Sequence, residues 1–569
     1  MKDPEKEKVT YFAETDARHN RKKFGIKAED RSKHVYVIGK TGMGKSTLLE
    51  NMAIQDIQSG NGIVFIDPHG GTAEKLLEYV PEERINDVLY FAPFDMDHPV
   101  AFNIMEDVGA SKRHLVVNGL MSVFEKIWED AWSARMAYIL QNTLLALLEY
   151  PGATLLAVNR MYTDKDFRNK VVANVTDVSV RSFWVDEYAK YTDKYAQEAT
   201  PAIQNKIGQF AGNPLIRNII GQSKSSFDLR KMMDEKKIMI VNLSKGRVGE
   251  GNARLLGSML ITKIYLAAMS RADEKAHTLS KLPQLYLFVD EFQSFADKSF
   301  ADILSEARKY KLNLTMAHQY IEQMEDEVRE AVFGNVGTMI AFRVGAYDAD
   351  VLEKEFAPVF TAEDLVNLGL RQIYLKLMID AVTSQPFSAS TMPPIEQPKV
   401  SYVDEIIANS RKTFSRPKAE VEKNISDWHE EGKAVAPTKS ATARPYTPDK
   451  QAPVHVVKQE PKPIDIRGHK EERPQQPKPP APIYPTPSIS LKSVSEKKDN
   501  QRRPDEKHIS DLRDALKAVT GVSPVKSENS RALPASGGLR RDSNLSASPP
   551  PQPKKEPSPE ELKKILDVQ

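Results

Sequence analysis

The sequence GKTGMGKS at residues 39–46 lies between an apolar run, HVYVI at 34–38, and a helix-favouring run, TLLENM at 47–52. A strand, a glycine-rich loop and a helix in this order form the context of a P-loop, which binds nucleotide phosphates. Glycine accepts the backbone angles that turn successive N–H groups towards one phosphate chain. The alternative is a glycine turn that carries Lys and Ser by coincidence, but both flanks favour the P-loop.

The same stretch predicts roles for individual residues. Lys45 is expected to reach the β- and γ-phosphates, and the Ser46 hydroxyl is expected to ligate Mg²⁺. The helix that begins near Gly44 adds the positive end of its dipole. The predicted ligands are therefore ATP and Mg²⁺. The predicted ATP-binding residues are Gly39, Lys40, Thr41, Gly42, Met43, Gly44, Lys45, Ser46 and Thr47.

A second motif, LYLFVDE at residues 285–291, ends in two carboxylates. An apolar strand followed by Asp-Glu is typical of the second nucleotide-site strand of P-loop ATPases. Asp290 would hold Mg²⁺ through water, and Glu291 would orient and polarise the attacking water as the base. Apolar runs that end in Asp-Glu also arise by chance, so this interpretation depends on the P-loop in the same chain.

Two further predicted strands end in polar residues. LNLTMAHQ at 312–319 ends in Gln319, which we interpret as a sensor of the γ-phosphate or the water, with helix capping as the alternative. In the additional-strand class of P-loop ATPases, such a strand lies between the P-loop strand and the Asp-Glu strand. GTMIAFR at 337–343 ends in Arg343. Arg343 is either a finger that neutralises transition-state charge in a neighbouring subunit's site or part of a surface ion pair.

The motif FIDPHG at residues 65–70 places Asp67 and His69 at the carboxyl end of another predicted strand, the edge where open α/β sheets bind ligands. These side chains either support the site or a subunit contact, or they form a tight turn in which Asp67 caps the next helix. We favour the turn, because Asp is a common helix cap.

Composition limits the class of protein. A chain of 569 residues is too long for one hydrophobic core and predicts two or three domains. A net charge of +2 does not by itself indicate a nucleic-acid binder, so any basic surface must be local. With 0 cysteines, the chain has no disulfide and no thiolate metal site. The polar start and the lack of an apolar run of about 20 residues predict a soluble, cytoplasmic protein with no membrane span.

Changes in residue pattern divide the chain into parts. They are a polar N-terminal segment (1–30), an α/β core (31–109 and 231–394), an all-helical insert (110–230), polar helices (395–433) and a disordered Pro-rich tail with short amphipathic helices (434–569). The insert is predicted to be all-helical because its apolar residues recur at helical spacing and it contains no strand-like runs. The tail follows from its Pro, Ser, Lys and Glu content. We also predict edge strands at residues 9–12 and 372–378.

Three motifs, GKTGMGKST at 39–47, FIDPHG at 65–70 and EARKYKLNLTMAHQY at 306–320, together resemble the HerA–FtsK superfamily of DNA-pumping ATPases. Within it, the chain looks most like the soluble motor domain of TraD-like type IV coupling proteins of conjugation. The resemblance implies a RecA-like core, a ring of six subunits, ATP hydrolysis at subunit boundaries, and DNA in a central channel. The positions that match the family's site are Lys45, Ser46, Asp290, Glu291 and Gln319, with Arg343 at a more variable finger position.

The chain departs from that family in two respects. Coupling proteins usually carry membrane helices before the P-loop strand, whereas a short polar segment precedes it here. The Pro-rich tail is also not part of the shared core. We therefore expect a protein that another chain, or its own tail, recruits to the inner face of the membrane or to a secretion apparatus.

Three functions stay open on the sequence. The first is an ATP-driven DNA translocase, in conjugation-like transfer or in HerA-like processing of DNA ends, whose ATPase should rise with DNA. The second is a secretion motor that moves protein and responds to a polypeptide. The third is an interaction hub whose tail gathers partners. The resemblance to DNA pumps favours the first.

Overall fold

The computed structural model describes residues 7–16, 21–192 and 200–430. The predicted disordered tail and its amphipathic helices lie outside the described residues, so those expectations stay predictions. No helix in the described part of the chain combines the length and the apolar character needed to cross a membrane.

One large sheet of 11 strands runs through the described residues, beside a two-stranded hairpin formed by Met378–Ile379 and Val382–Thr383. The strands are β1 (Val9–Thr15), β2 (Lys23–Lys27), β3 (Val35–Ile38), β4 (Gly62–Asp67), β5 (Val88–Phe91), β6 (Ile238–Asn242), β7 (Leu285–Val289), β8 (Leu312–His318), β9 (Thr338–Ala341), β10 (Gln372–Lys376), β11 (Met378–Ile379), β12 (Val382–Thr383) and β13 (Phe387–Thr391). The order in the large sheet is β2-β1-β13-β10-β9-β3-β8-β7-β4-β6-β5.

The strands from β9 to β5 in this order are all parallel, and β10, β13, β1 and β2 extend the sheet in antiparallel fashion. Strand β8 lies between the P-loop strand β3 and the Asp-Glu strand β7, so the predicted additional strand is confirmed. Parallel strands end at a common edge. The carboxyl ends of β3, β8, β7 and β4 are therefore neighbours, and the loops that follow them meet there.

Helices cover both faces of the sheet. They are α1 (Lys45–Gln58), α2 (Gly71–Glu78), α3 (Arg113–Ile127), α4 (Ala134–Leu148), α5 (Ala157–Thr163), α6 (Lys165–Asn174), α7 (Val178–Ser182), α8 (Pro201–Gly212), α9 (Pro214–Ile220), α10 (Leu229–Asp234), α11 (Lys245–Val248), α12 (Glu250–Met269), α13 (Ala276–Lys281), α14 (Ser299–Glu306), α15 (Asp326–Asn335), α16 (Ala346–Phe356), α17 (Ala362–Val366), α18 (Val403–Phe414) and α19 (Lys418–Glu430).

Side chains alternate along β3 between two apolar layers. Val35 and Val37 pack in the layer that contains α1, whereas Tyr36 and Ile38 pack in the layer that contains α12. A strand that is buried on both faces needs apolar residues at every position, which explains the uninterrupted VYVI sequence. Both layers hold the P-loop strand in place from opposite sides.

The helical insert shares one of these layers. Residues 92–192 and 200–237 contain helices and no strand. The apolar core continues from the sheet into them through buried residues such as Phe124, Ile139 and Ile203. The α/β core with an all-helical insert is therefore confirmed, while the boundaries at 110 and 230 stay predictions.

Two predicted edge strands are interior. Strand β1 pairs with β2 on one side and β13 on the other, and β10 pairs with β9 and β13. The edge-strand prediction was wrong because β2 (KFGIK) and β13 (FSAST) carry weak strand signals, with Gly or small polar residues in short runs. The observed edges are β2 and β5.

Candidate nucleotide site

The loop between β3 and α1 contains the predicted ATP-binding residues up to Gly44, and Lys45, Ser46 and Thr47 form the first turn of α1. Gly42 and Gly44 adopt left-handed backbone angles, with φ of +79° and +115°. Residues with a side chain rarely adopt these angles, so glycine is what lets the loop curl at these two points. The backbone angles of Gly42 and Gly44 therefore explain why the loop has glycine at these positions.

Lys45 is buried at the start of α1, and its ammonium points back into the loop. Its Nζ donates hydrogen bonds to the carbonyls of Gly39 at 2.6 Å and Lys40 at 3.2 Å. Burial lowers the pKa of Lys45, and the nearby carboxylates of Glu291 and Asp290 oppose that shift. The ammonium thus lies in the concave side of the loop, where a phosphate chain would be bound.

A direct hydrogen bond joins the P-loop helix to the Asp-Glu strand. The Ser46 hydroxyl donates to Asp290 Oδ2 at 3.1 Å. Asp290 is buried, and burial raises its pKa, with the like charges of Glu291 and Asp67 adding to the shift. A buried carboxylate of this kind is stabilised by a cation. The oxygen pair of Ser46 and Asp290 fits Mg²⁺, which prefers oxygen ligands and needs only a few from protein when phosphates supply others.

Glu291 follows at the carboxyl end of β7 in a left-handed conformation, with φ +47°. Its carboxylate accepts hydrogen bonds from the Gln319 amide and, at 2.6 Å, from the Gln293 amide. His69 Nε2 lies 3.9 Å from Oε1, which is ion-pair distance and longer than a hydrogen bond. Burial alone would raise the pKa of Glu291, but contacts with His69, Gln293 and Gln319 outweigh it and lower the pKa to about 2.

Gln319 bridges the Asp-Glu strand and the P-loop. Its amide nitrogen donates to Glu291, and its Oε1 accepts a hydrogen bond from the Thr41 hydroxyl at 3.0 Å. The side chain therefore spans the space between the loop that would hold the γ-phosphate and the predicted base. This placement fits a sensor, although the role itself stays a prediction.

The FIDPHG turn does two different things. Asp67 accepts hydrogen bonds from the backbone N–H of His69 at 2.7 Å and of Ala73 at 2.9 Å, so it caps the first turn of α2, as the favoured interpretation requires. His69 instead faces Glu291, and that interaction raises the pKa of His69. The turn thus combines the capping role with a contact to the site.

Arg343 lies at the carboxyl end of β9, beside the P-loop of its own chain. Its carbonyl accepts a hydrogen bond from the Lys40 N–H at 2.8 Å. Within the described residues, its guanidinium forms no ion pair with an acidic side chain. The role of Arg343 as an arginine finger in a neighbouring subunit's site stays a prediction.

Gln293 is a residue of the site that the sequence analysis missed. Its amide donates to Glu291 at 2.6 Å from two positions along the chain. The signal was weak, because a Gln close to Asp-Glu has no fixed direction unless the turn that follows the strand is known. The left-handed angle of Glu291 supplies that turn.

Among the described residues, no group of three or more His, Asp or Glu side chains is arranged to hold a metal ion. A metal at Ser46 and Asp290 would therefore depend on ligands from the phosphates as well as on this oxygen pair.

The fold and the site define a P-loop nucleotide-binding protein of the additional-strand class. The family model for conjugative DNA transfer by the type IV secretory system matches residues 4–340, more than half of the chain. The chain belongs to that family. No curated protein sequence matches it.

Solved structures with a similar fold have low sequence identity. The plasmid coupling protein TrwB in complex with ADP and Mg²⁺ is 15% identical, with a TM-score of 0.49 over 67% of this chain and 90% of that chain. The unbound bacterial conjugative coupling protein TrwBdeltaN70 is also 15% identical, with a TM-score of 0.48 over 65% and 86%. VirB4 of Thermoanaerobacter pseudethanolicus is 12% identical, with a TM-score of 0.45 over 70% and 98%. The family assignment rests on the sequence match.

Proposed function

We propose that the chain binds ATP with Mg²⁺ and hydrolyses it. The observation that carries this proposal is the pair of contacts between the P-loop and the Asp-Glu strand, Ser46 to Asp290 and Thr41 through Gln319 to Glu291. They bring a phosphate-binding loop, a pair of metal-binding oxygens and a carboxylate base to one place, as phosphoryl transfer requires.

Each residue then has a chemical task. The loop N–H groups and Lys45 bind the phosphates, and Ser46 and Asp290 hold the metal. When bound, Mg²⁺ neutralises charge that develops on the phosphates. Glu291 orients the attacking water and accepts its proton. A general base works best with a pKa near the working pH, so weaker contacts of Glu291 with His69, Gln293 and Gln319, which lower its pKa to about 2, would favour this proton transfer.

The finer function is DNA translocation. We infer that the chain forms a ring, a homohexamer, that pumps DNA through a central channel, with Arg343 as a finger at the subunit boundary. Membership of the conjugative DNA transfer family supports this inference. The chain would act on the cytoplasmic side of the membrane, and residues 434–569 would engage a membrane or secretion-apparatus partner.

The test measures ATP hydrolysis by the purified full chain, alone and with single- or double-stranded DNA. Lys45→Ala should lose nucleotide binding. Glu291→Gln should keep binding and lose turnover by about 10²- to 10⁴-fold, because it removes the base. Turnover of Glu291→Gln equal to that of the wild type would refute the base assignment.

The same assay separates the rival functions. A translocase of either DNA form should be stimulated by that DNA, and stimulation should weaken as salt rises. Stimulation by DNA ends only would indicate end processing of the HerA type. A turnover that ignores DNA but rises with a polypeptide would indicate a motor that moves protein and would overturn the DNA assignment.

A further inference from the structure

Arg371 lies against the P-loop of its own chain, in the turn that precedes β10. Its backbone N–H donates to the Met43 carbonyl at 3.2 Å. A Cβ atom placed on Gly44 would lie 3.7 Å from Arg371 Cγ, so the arginine side chain runs past the end of the loop where α1 begins. A residue distant in sequence therefore borders the candidate nucleotide site.

The backbone of Arg371 adopts a conformation that suits glycine better. Its φ is +63°, in the left-handed region that L-residues rarely occupy. The Arg371 carbonyl accepts a hydrogen bond from the Thr391 N–H at 2.8 Å, which together with the Met43 contact fixes this geometry. A non-glycine residue at such a position costs free energy, and such costs concentrate at functional sites. The left-handed angle, together with the position of Arg371 beside the P-loop, makes its side chain a candidate for a functional contact.

The Arg371 guanidinium is exposed, and within the described residues it pairs with no acidic side chain. Arg31, by contrast, is fully buried in a bidentate pair with Asp56. An unpaired, planar cation with five donors beside a phosphate-binding loop has the chemistry of a phosphate ligand.

We propose that Arg371 binds the nucleotide in cis, at the α-phosphate and ribose end of the site. Thr41, Gln319 and Glu291 mark the opposite end, where the γ-phosphate would be bound. Met43, which Arg371 contacts, and the adjacent Gly44 lie at the helix end of the loop, whose N–H groups bind the inner phosphates. This inference rests on the proposed nucleotide site. It adds a protein residue that contacts a part of the nucleotide present in both ATP and ADP.

The distinguishing experiment is Arg371→Gly in the full chain, with ATP and ADP binding measured by titration with fluorescent nucleotide. Glycine suits φ +63°, so the unliganded variant should melt no lower than the wild type. Loss of one charge-assisted contact should weaken ATP and ADP alike, by about 10- to 100-fold. At saturating ATP, kcat should stay within about twofold while KM rises. Arg371→Lys, which keeps the charge but not the planar fork, should fall between the two.

Lys236→Gly is the matched control. Lys236 also has a left-handed backbone, with φ +55°, and also precedes a strand, β6, but it lies at the amino ends of the parallel strands, whereas the P-loop lies at their carboxyl ends. The Lys236→Gly substitution removes a cation and the strain of a left-handed non-glycine residue, but at a position far from the P-loop. Its nucleotide affinity should equal that of the wild type.

The outcomes separate this proposal from the one on which it rests. If wild type binds both nucleotides and Arg371→Gly binds them equally well, the Arg371 assignment is wrong. If Arg371→Gly weakens ATP but not ADP, the residue contacts the γ-phosphate and the assignment is also wrong. If wild type binds neither nucleotide and matches Lys45→Ala, both proposals fall.

Discussion

His34, the residue directly before the P-loop strand, is fully buried, and its ring makes two hydrogen bonds. Nδ1 accepts from the Leu314 N–H at 3.1 Å, and Nε2 lies 3.2 Å from the Leu304 carbonyl. Because Nδ1 must accept, the folded protein requires the neutral ring with its proton on Nε2. Burial lowers the pKa of His34 to about 4, against an ordinary value of 6.5.

This shift predicts a pH dependence of stability. Because the pKa of His34 is lower in the folded protein, the unfolded chain takes up a proton first as the pH falls. The stabilisation that neutral His34 gives the folded protein is therefore complete above pH 6.5 and is lost as pH falls from 6.5 to about 4. The loss should approach about 1.4 kcal/mol per pH unit in that window. Urea unfolding at several pH values should show a steeper acid slope for wild type than for His34→Gln. Equal slopes would show that folding does not lower the pKa of His34 and would contradict this prediction.

Single residues also show how far sequence reasoning reaches: it predicted their positions, while their chemical roles stay predictions. Lys45, Ser46, Asp290, Glu291 and Gln319 were placed because each follows a strand whose apolar pattern is local. The structure brings them within a few hydrogen bonds of one another. The contact between His69 and Glu291 was not predictable, because it depends on a neighbouring strand from a distant part of the chain.

Arg371 gave even less signal. Its importance follows from a left-handed backbone angle and from a hydrogen bond to a residue more than 300 positions away, and neither leaves a mark on hydrophobic periodicity.

At the scale of elements, the loop at residues 292–298, which follows the Asp-Glu pair, is fixed by helices of the other layer. The Ser258 hydroxyl on α12 donates to the Phe295 carbonyl at 2.9 Å, and the Lys126 ammonium on α3 donates to the Ala296 carbonyl. Gly257 lies so close that an added Cβ would approach Phe295 Cε1 to 2.3 Å. The helical insert, through Lys126, and helix α12, through Ser258 and Gly257, therefore both contact the loop beside the predicted base.

Gly257→Ala tests the contact between α12 and this loop. The extra methyl must displace Phe295 and the loop, so we expect a loss of about 1–3 kcal/mol in stability, seen as a lower Tm. Turnover should fall, while ATP binding at the P-loop is kept. Gly251→Ala, in the same helix, is the control, because its Cβ meets nothing within 4 Å. It should be neutral or stabilising by up to about 1 kcal/mol. Similar effects of both variants would show that helix α12, rather than its contact with the loop, is what matters.

The elements of the sheet were predictable in part. β3, β4, β7 and β8 are buried on both faces and therefore read as continuous apolar runs. β2 and β13 lie in the antiparallel extension, where partial exposure admits Gly, Ser and Lys. Their pairing is decided by neighbours that are remote in sequence, so the edge of the sheet was assigned to the wrong strands.

At the scale of the whole described chain, helices α18 and α19 connect the sheet edge to the insert. The Ser410 hydroxyl on α18 accepts the Tyr90 N–H of edge strand β5 at 2.9 Å. On α19, the Trp428 carbonyl accepts from Arg160 Nη1 at 2.9 Å, and the Trp428 ring lies edge-on to Phe167 at 6.0 Å. Helices α18 and α19, which the sequence predicted as a segment separate from the core and the insert, therefore contact both the sheet and the helical insert.

Trp428→Ala should loosen the insert without disturbing the nucleotide site. The ring is half-buried, so its loss should cost about 1–3 kcal/mol and speed amide hydrogen exchange in α19 and in the facing helices α5 and α6. Exchange in α1 should stay unchanged, as should ATP turnover without DNA, because the residues of that site lie on other elements. Lys423→Ala, an exposed residue of the same helix, should leave every exchange rate as in wild type. Faster exchange throughout the sheet in Trp428→Ala would mean that the two helices hold the whole fold together, rather than one junction within it.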